Sequence, residues 1–173
     1  IEEAVANFAV RCTEKLRRQG SVCQGITVFA WTSRFNEHVP EYTIHDSLTL
    51  PIATNAQEEI VGAALSILRA KYPKPMADSR PDRSDMSFHF KKAGVILWQI
   101  SPDHPRQQDL FDPIDRSKQK KLMEAIDAIN RKNGYGTIRQ AIQGTDCRFD
   151  LKREYMSKQF TTNIHDILKV KTR

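Results

Sequence analysis

Val22-Cys23-Gln24-Gly25-Ile26-Thr27-Val28-Phe29-Ala30-Trp31-Thr32 is the stretch on which the fold turns. It is dense in β-branched and aromatic side chains, which suit a pleated, half-buried surface, so 22–32 reads as a strand. Both parities are apolar or nearly so, as in a strand covered on one face and partly used on the other. Upstream, Val5, Phe8, Cys12 and Leu16 recur at helical spacing and predict a helix over 2–19. Arg11, Lys15, Arg17 and Arg18 crowd its C-terminal half, where cations suit the helix dipole, and Gly20 ends it. Downstream, 33–41 holds Asn36 and Pro40 and reads as a loop. A second strand is expected over 42–50, closed by Pro51, and consecutive strands pair antiparallel by default.

Further along, Asn55 and Glu58 have capping-box spacing, and Ile60, Val61, Ala64, Leu65, Leu68 and Tyr72 supply the buried face of a second helix. Pro73 and Pro75 stop it, 74–87 reads as a polar loop, and 88–100 reads as a third strand. Helix, strand, strand, helix, strand is an α+β order, with two helices on one face of an antiparallel sheet. It matches a four-stranded βαββαβ unit whose first strand is missing, leaving a sheet edge unpaired or paired with a neighbour. The chain opens on the amphipathic helix at Ile1, as though cut from something longer. Residues 101–112 read as a linker, Pro113–Lys132 as a third helix with the stripe Leu122, Met123, Ile126 and Ile129, and Gly136–Ile142 as a short strand. The basic segment 143–173 is too short for a core of its own, so it is expected to pack on 113–142 or to order on a partner. The expected units are therefore 1–100, a linker over 101–112, and a small helix-plus-strand module over 113–173.

Composition bounds the function. At 173 residues, with 39% hydrophobic and 28% charged side chains, the chain is an ordinary globular protein of one or two domains. No apolar run approaches the ~20 residues a bilayer span needs, so no membrane partner is expected. Cys12, Cys23 and Cys147 are an odd set without C-x-x-C spacing, which fits a cytoplasmic protein, and Cys12 and Cys23 fall on apolar-patterned segments and read as buried thiols. His38, His45, His89, His104 and His165 share no ligand spacing, and no metal site is expected. Of the net +6, residues 115–173 hold +7, from 14 Lys and Arg against 7 Asp and Glu; residues 1–114 therefore hold −1. A positive segment of this kind meets nucleic acid or an acidic partner, or is simply a solvated face.

Within the linker stands Gln107-Gln108-Asp109-Leu110-Phe111. An amide followed by two adjacent apolar side chains is a compact docking peptide: the amide bonds at a pocket rim and the apolar pair fills the pocket. The bland alternative is a Leu-Phe pair covering a local apolar patch. The run resembles the peptide by which bacterial DNA polymerases attach to their sliding clamp.

The resemblance extends over nearly the whole chain. Glu14-Lys15-Leu16-Arg17-Arg18-Gln19, Val22-Cys23 and Thr27-Val28-Phe29 resemble the UmuC branch of the Y-family DNA polymerases. So do Lys91-Lys92-Ala93-Gly94-Val95, Arg116-Ser117, Leu122-Met123, Asp127-Ala128-Ile129-Asn130, Lys152-Arg153-Glu154, Ser157 and Thr161-Thr162, all in the family's order. The likeness is to that family's C-terminal half: the little finger domain, the clamp peptide and a small domain of unassigned role. It implies a role in error-prone translesion synthesis, DNA repair and the SOS response. The polymerase carboxylates and their Mg would lie in palm, finger and thumb segments ahead of Ile1, so the residues here should not copy DNA and need no cofactor. Implied partners are primer–template duplex DNA, the sliding clamp, a UmuD-like protein and RecA. Gln108 departs from the clamp motif, which prefers leucine there; Phe149 and Ile164 stand where relatives often carry tryptophan, and Lys158 where proline is common.

In a little finger the uncovered sheet face lies along the duplex and contacts are mainly to phosphates. The residues expected to make them are Arg17, Arg18, Ser21, Thr27, Ser33, Arg34, Lys91 and Lys92. Trp31 and Trp98 read as core or inter-domain residues. A protein-interaction adaptor without DNA contact is the alternative, and a salt titration separates the two. An RNA-recognition sheet lacks its basic-Gly-aromatic signature over 88–98, and no Ser-His-Asp, Cys-His or paired-carboxylate arrangement suggests a hydrolase.

Overall fold

The computed structural model describes residues 1–33, 41–72, 90–103, 112, 114–145 and 156–168. The elements run α1 (Glu2–Gln19), β1 (Ser21–Thr32), β2 (Thr43–Thr54), α2 (Gln57–Lys71), β3 (Phe90–Pro102) and α3 (Arg116–Asn133). The α+β class and the element order are as expected. The sheet has the order β2-β1-β3, and both pairings are antiparallel. β1 is thus the central strand, and β2 and β3 are the edges.

α1 and α2 lie on one face of this sheet. Ile26, Val28 and Ala30 of β1 and Ile44 of β2 point into it, packed against Val5, Ala6, Ala9, Val10 and Leu16 of α1 and Ile60, Val61, Ala64, Leu65 and Leu68 of α2. Each fully buried Ile or Leu is worth about 1.5–3 kcal/mol relative to exposure. Of the stripe expected for α1, Val5 and Leu16 are buried, whereas Phe8 and Cys12 are only half-buried and Ala6 and Ala9 are fully enclosed in their place. Ala6 and Ala9 share the buried cluster with Ala64 of α2. Gly20 closes α1 in the left-handed conformation (φ 62°), donating its N–H to the Arg17 carbonyl at 3.1 Å.

Several local expectations are corrected. The second strand does not close at Pro51 but continues to Thr54; pairing jumps from Gly25↔Thr49 to Cys23↔Thr54, so Pro51 sits in a bulge, where its missing N–H breaks no ladder. No Asn55–Glu58 capping box forms. Ala56 is the N-cap of α2, its N–H is taken by Thr54 Oγ1 at 3.1 Å, and Asn55 instead donates to the Ser21 carbonyl at 3.0 Å. Tyr72 is not on the buried face: it is the extended residue that ends α2 just before Pro73, and it is exposed.

α3 begins at Arg116, with Asp115 accepting from the Lys118 N–H at 3.0 Å. Of the expected stripe only Met123 is buried; Leu122 and Ile129 are exposed. Residues 136–142 form no strand. The backbone of Ile138 is satisfied by the Asn130 side chain, which accepts from its N–H at 2.7 Å and donates to its carbonyl at 3.1 Å. A 3-10 turn at Ala141–Gln143 follows. That turn docks on α1, not on α3: Gln143 and Asn7, both buried, exchange hydrogen bonds at 2.8 and 3.2 Å. None of residues 156–168 is buried.

Candidate nucleic-acid interface

The face of the sheet turned away from the helices carries the alternate residues of each strand. β1 contributes Gly25, Thr27, Phe29 and Trp31; the register places Thr49, Ser47, His45 and Thr43 of β2 on one side and Trp98, Ile96, Gly94 and Lys92 of β3 on the other. No strand residue in this set is acidic. Its surface is built by reciprocal cover. A Cβ on Gly25 would lie 2.2 Å from the Trp98 ring, and one on Gly94 would lie 2.4 Å from Phe29 Cζ. Each ring therefore occupies the space a side chain would need at a glycine on the neighbouring strand, which is why glycine stands at both positions.

Polar groups are threaded between the rings. Trp98 Nε1 donates to Thr27 Oγ1 at 3.1 Å, and Thr27 and Ser47 share a hydroxyl hydrogen bond at 2.7 Å. Phe29 and Trp31 stack with centroids 5.2 Å apart, and Lys92 Nζ stands 5.8 Å from the Trp31 centroid. Trp31 and Trp98, expected in a core or between domains, are both on this uncovered face; the pairing of Trp31 with Phe29 at i, i+2 was the available signal.

The expected contact residues do not form one cluster. Thr27 is central but already hydrogen-bonded, and Lys92 lies at the far end of the open face. Ser33 follows the end of β1 and Ser21 begins it, about 40 Å apart along an extended strand at ~3.3 Å per residue. Lys91 has the parity of Ala93, Val95 and Leu97, which pack toward the helices. Arg34 and the peptide Gln107–Phe111 lie outside the described residues.

Arg17 is committed elsewhere. Its Nε and Nη2 donate to Asp127 at 2.6 and 2.7 Å, and Nη1 donates to the Asn55 carbonyl at 3.1 Å, with only 9% of the side chain exposed. A second cluster holds the start of α3: Arg116 reaches Glu59 at 2.6 Å and Asp112 at 2.5 Å, and Gln119 donates to the same Glu59 oxygen at 2.9 Å. These bonds hold the Asp112 carboxyl below its usual range, chiefly through Arg116. α3 is thus attached to the helical side by ion pairs with one buried apolar anchor, Met123, and leaves the open sheet face uncovered.

Between α1 and α3 lies a cleft of about 610 Å³. Arg18 lines it with Lys120 and Arg131, but so do Glu14, Glu124 and Asp127, so its field is mixed and suits a polyanion poorly. Burial pushes the Glu14 carboxyl above its usual range; Arg17 works against the shift and Asp127 adds to it. The Cys23 thiol, pushed up to about 11 by burial, is chemically quiet. Among the described residues no group of three His, Cys, Asp or Glu could hold a metal ion, and no helix is long and apolar enough to cross a membrane.

Residues 1–110 match the impB/mucB/samB family C-terminal domain, and residues 120–170 match a domain of unknown function (DUF4113). The chain is 34% identical over 172 residues to Protein UmuC of Salmonella typhimurium, covering 99% of this chain and 38% of the relative. It is 32% identical over 168 residues to Protein ImpB of Salmonella typhimurium, covering 96% and 37%. To Protein MucB of Escherichia coli it is likewise 32% identical over 168 residues, covering 96% and 36%. It therefore spans little more than a third of the length of these relatives.

Proposed function

The chain belongs to the impB/mucB/samB family, and on that premise we propose that it is the DNA-holding and clamp-docking part of an error-prone translesion DNA polymerase that acts in DNA repair and the SOS response. The observation that carries the reading is the open sheet face: broad, uncovered by α1, α2 or α3, and without an acidic strand residue. Primer–template DNA lies against this face, with Lys92, His45 and the hydroxyls of Thr43, Ser47 and Thr49 meeting phosphates. Such contacts position the duplex without reading sequence, as damaged templates require. Little finger, linker and basic module correspond to 1–100, 101–112 and 113–173, and the peptide Gln107–Phe111 tethers the whole to the sliding clamp.

Fluorescence anisotropy on a primer–template duplex, titrated across salt, tests the DNA reading. Binding should fall steeply with salt and be indifferent to sequence, and Lys92→Ala should flatten the log–log slope by about 0.9 if one phosphate contact is lost. Binding that ignores salt would instead favour an adaptor docking on RecA or a UmuD-like subunit. For the clamp, Leu110→Ala with Phe111→Ala should abolish pull-down and spare DNA binding; retained pull-down removes the peptide from the account.

A further inference from the structure

The open face is short of cations and rich in rings. Its strand residues include one lysine, Lys92, whose Nζ is placed over Trp31. Around it are Phe29, Trp31 and Trp98, flanked by Ile96, which is 49% exposed. A face built only to grip phosphates needs several cations. This one offers flat π-surfaces. Trp98 lies over the backbone of Gly25, so one side of its ring is occupied by the sheet, while Phe29 reaches over Gly94 and stacks on Trp31 with centroids 5.2 Å apart. Trp98 cannot stand upright without losing the cover of its glycine, and it is further pinned by its N–H bond to Thr27 at 3.1 Å. The platform is pre-ordered, so little rotamer freedom is lost when a flat partner settles on it.

Resting on the reading that this face meets DNA, we infer that it also binds unpaired nucleotides, a base stacking on Trp98 while Lys92 and His45 meet the flanking phosphates. Bases in a duplex have their faces covered by their neighbours; only an unpaired strand presents them. Stacking is tolerant of sequence because every base has a π-face. The absence of acidic strand residues on the face removes the repulsion that would keep such a strand away.

Both tryptophans of the chain lie on this face, so intrinsic fluorescence reports occupancy directly. A dT single strand of about ten nucleotides, an abasic strand of the same length and a primer–template duplex are titrated into the unmodified chain. The dT strand should quench tryptophan emission and bind about tenfold or more tighter than the abasic strand, since one stacked base alone contributes that much. Trp98→Phe should keep most of this preference and Trp98→Leu should lose it, with circular dichroism showing that both fold. Equal affinity for dT and abasic strands, with duplex binding intact, overturns the stacking inference and leaves the phosphate grip standing. No binding of any of the three overturns both.

Discussion

Arg17 and Asp127 are joined by two parallel charge-assisted hydrogen bonds, at 2.6 and 2.7 Å, across 110 residues of sequence. The pair ties the end of α1 to the middle of α3. It also removes a cation that the cluster Arg17-Arg18 would otherwise present to a phosphate.

Breaking that pair should cost stability, not DNA affinity. Arg17 is nearly enclosed, so Arg17→Ala leaves Asp127 without its partner at a desolvated site. The expected loss is about 2 kcal/mol, read as a lower urea midpoint at unchanged m-value. Asp127→Ala should cost a similar amount, and the double variant distinctly less than the sum. The salt slope of DNA binding should be the same in Arg17→Ala as in the parent. Additive losses, or a flattened slope, would return Arg17 to the list of phosphate contacts.

Much of the fold is legible because it is local. The β-branched run 22–32, the apolar spacing of 57–71 and the Gly after Gln19 each state their element within a dozen residues. The site is legible only in part. Lys92 and Thr27 follow from strand parity once β3 is placed, but the fate of Arg17 depends on Asp127, and nothing local announces a partner so distant. The α2 cap went astray for a similar reason: Asn55 has the right spacing, yet Ser21 offers it a backbone carbonyl that only the folded chain brings near. Residues 136–142 read as a strand because Thr137 and Ile138 favour one, but the Ile138 backbone bonds to the Asn130 side chain and the Thr137 N–H to the Gly134 carbonyl, with no partner strand among the described residues. Gly25 and Gly94 did carry a signal. A glycine inside a strand marks a close approach, and each stands opposite an aromatic residue.

Glu14 offers a test through pH. Its folded carboxyl titrates above the usual value because burial disfavours the anion. For a carboxyl raised on folding, the stabilising share is fully present below the unfolded value near 4.5 and is lost as pH rises through the folded one. At neutral pH the chain therefore holds a disfavoured anion. Glu14→Gln should raise the thermal midpoint at pH 7 relative to the parent, with the advantage shrinking to nothing below about pH 4. An advantage that persists unchanged at pH 3.5 would mean the substitution acts through packing and not through the charge.

The cover of Gly25 by Trp98 makes the sharpest prediction, because the usual preference is reversed. Gly25 has no positive φ, so alanine would suit the strand better than glycine by backbone entropy alone. The steric term points the other way: a methyl group at Gly25 enters the indole at 2.2 Å. Trp98 must then lift off the sheet and release its bond to Thr27. Overpacking of this kind costs about 1–3 kcal/mol, which outweighs the entropic gain. Gly25→Ala should therefore destabilise the parent, and in a Trp98→Ala background, where the ring is gone, the same change should be neutral or stabilising. The change of sign, measured as a double-mutant cycle in urea, isolates the ring–glycine contact from everything else the two residues do. Gly25→Ala should also shift the tryptophan emission maximum to the red as the indole meets water. An unshifted spectrum together with additive energies would show that Trp98 does not lie flat on the sheet, and the stacking platform would go with it.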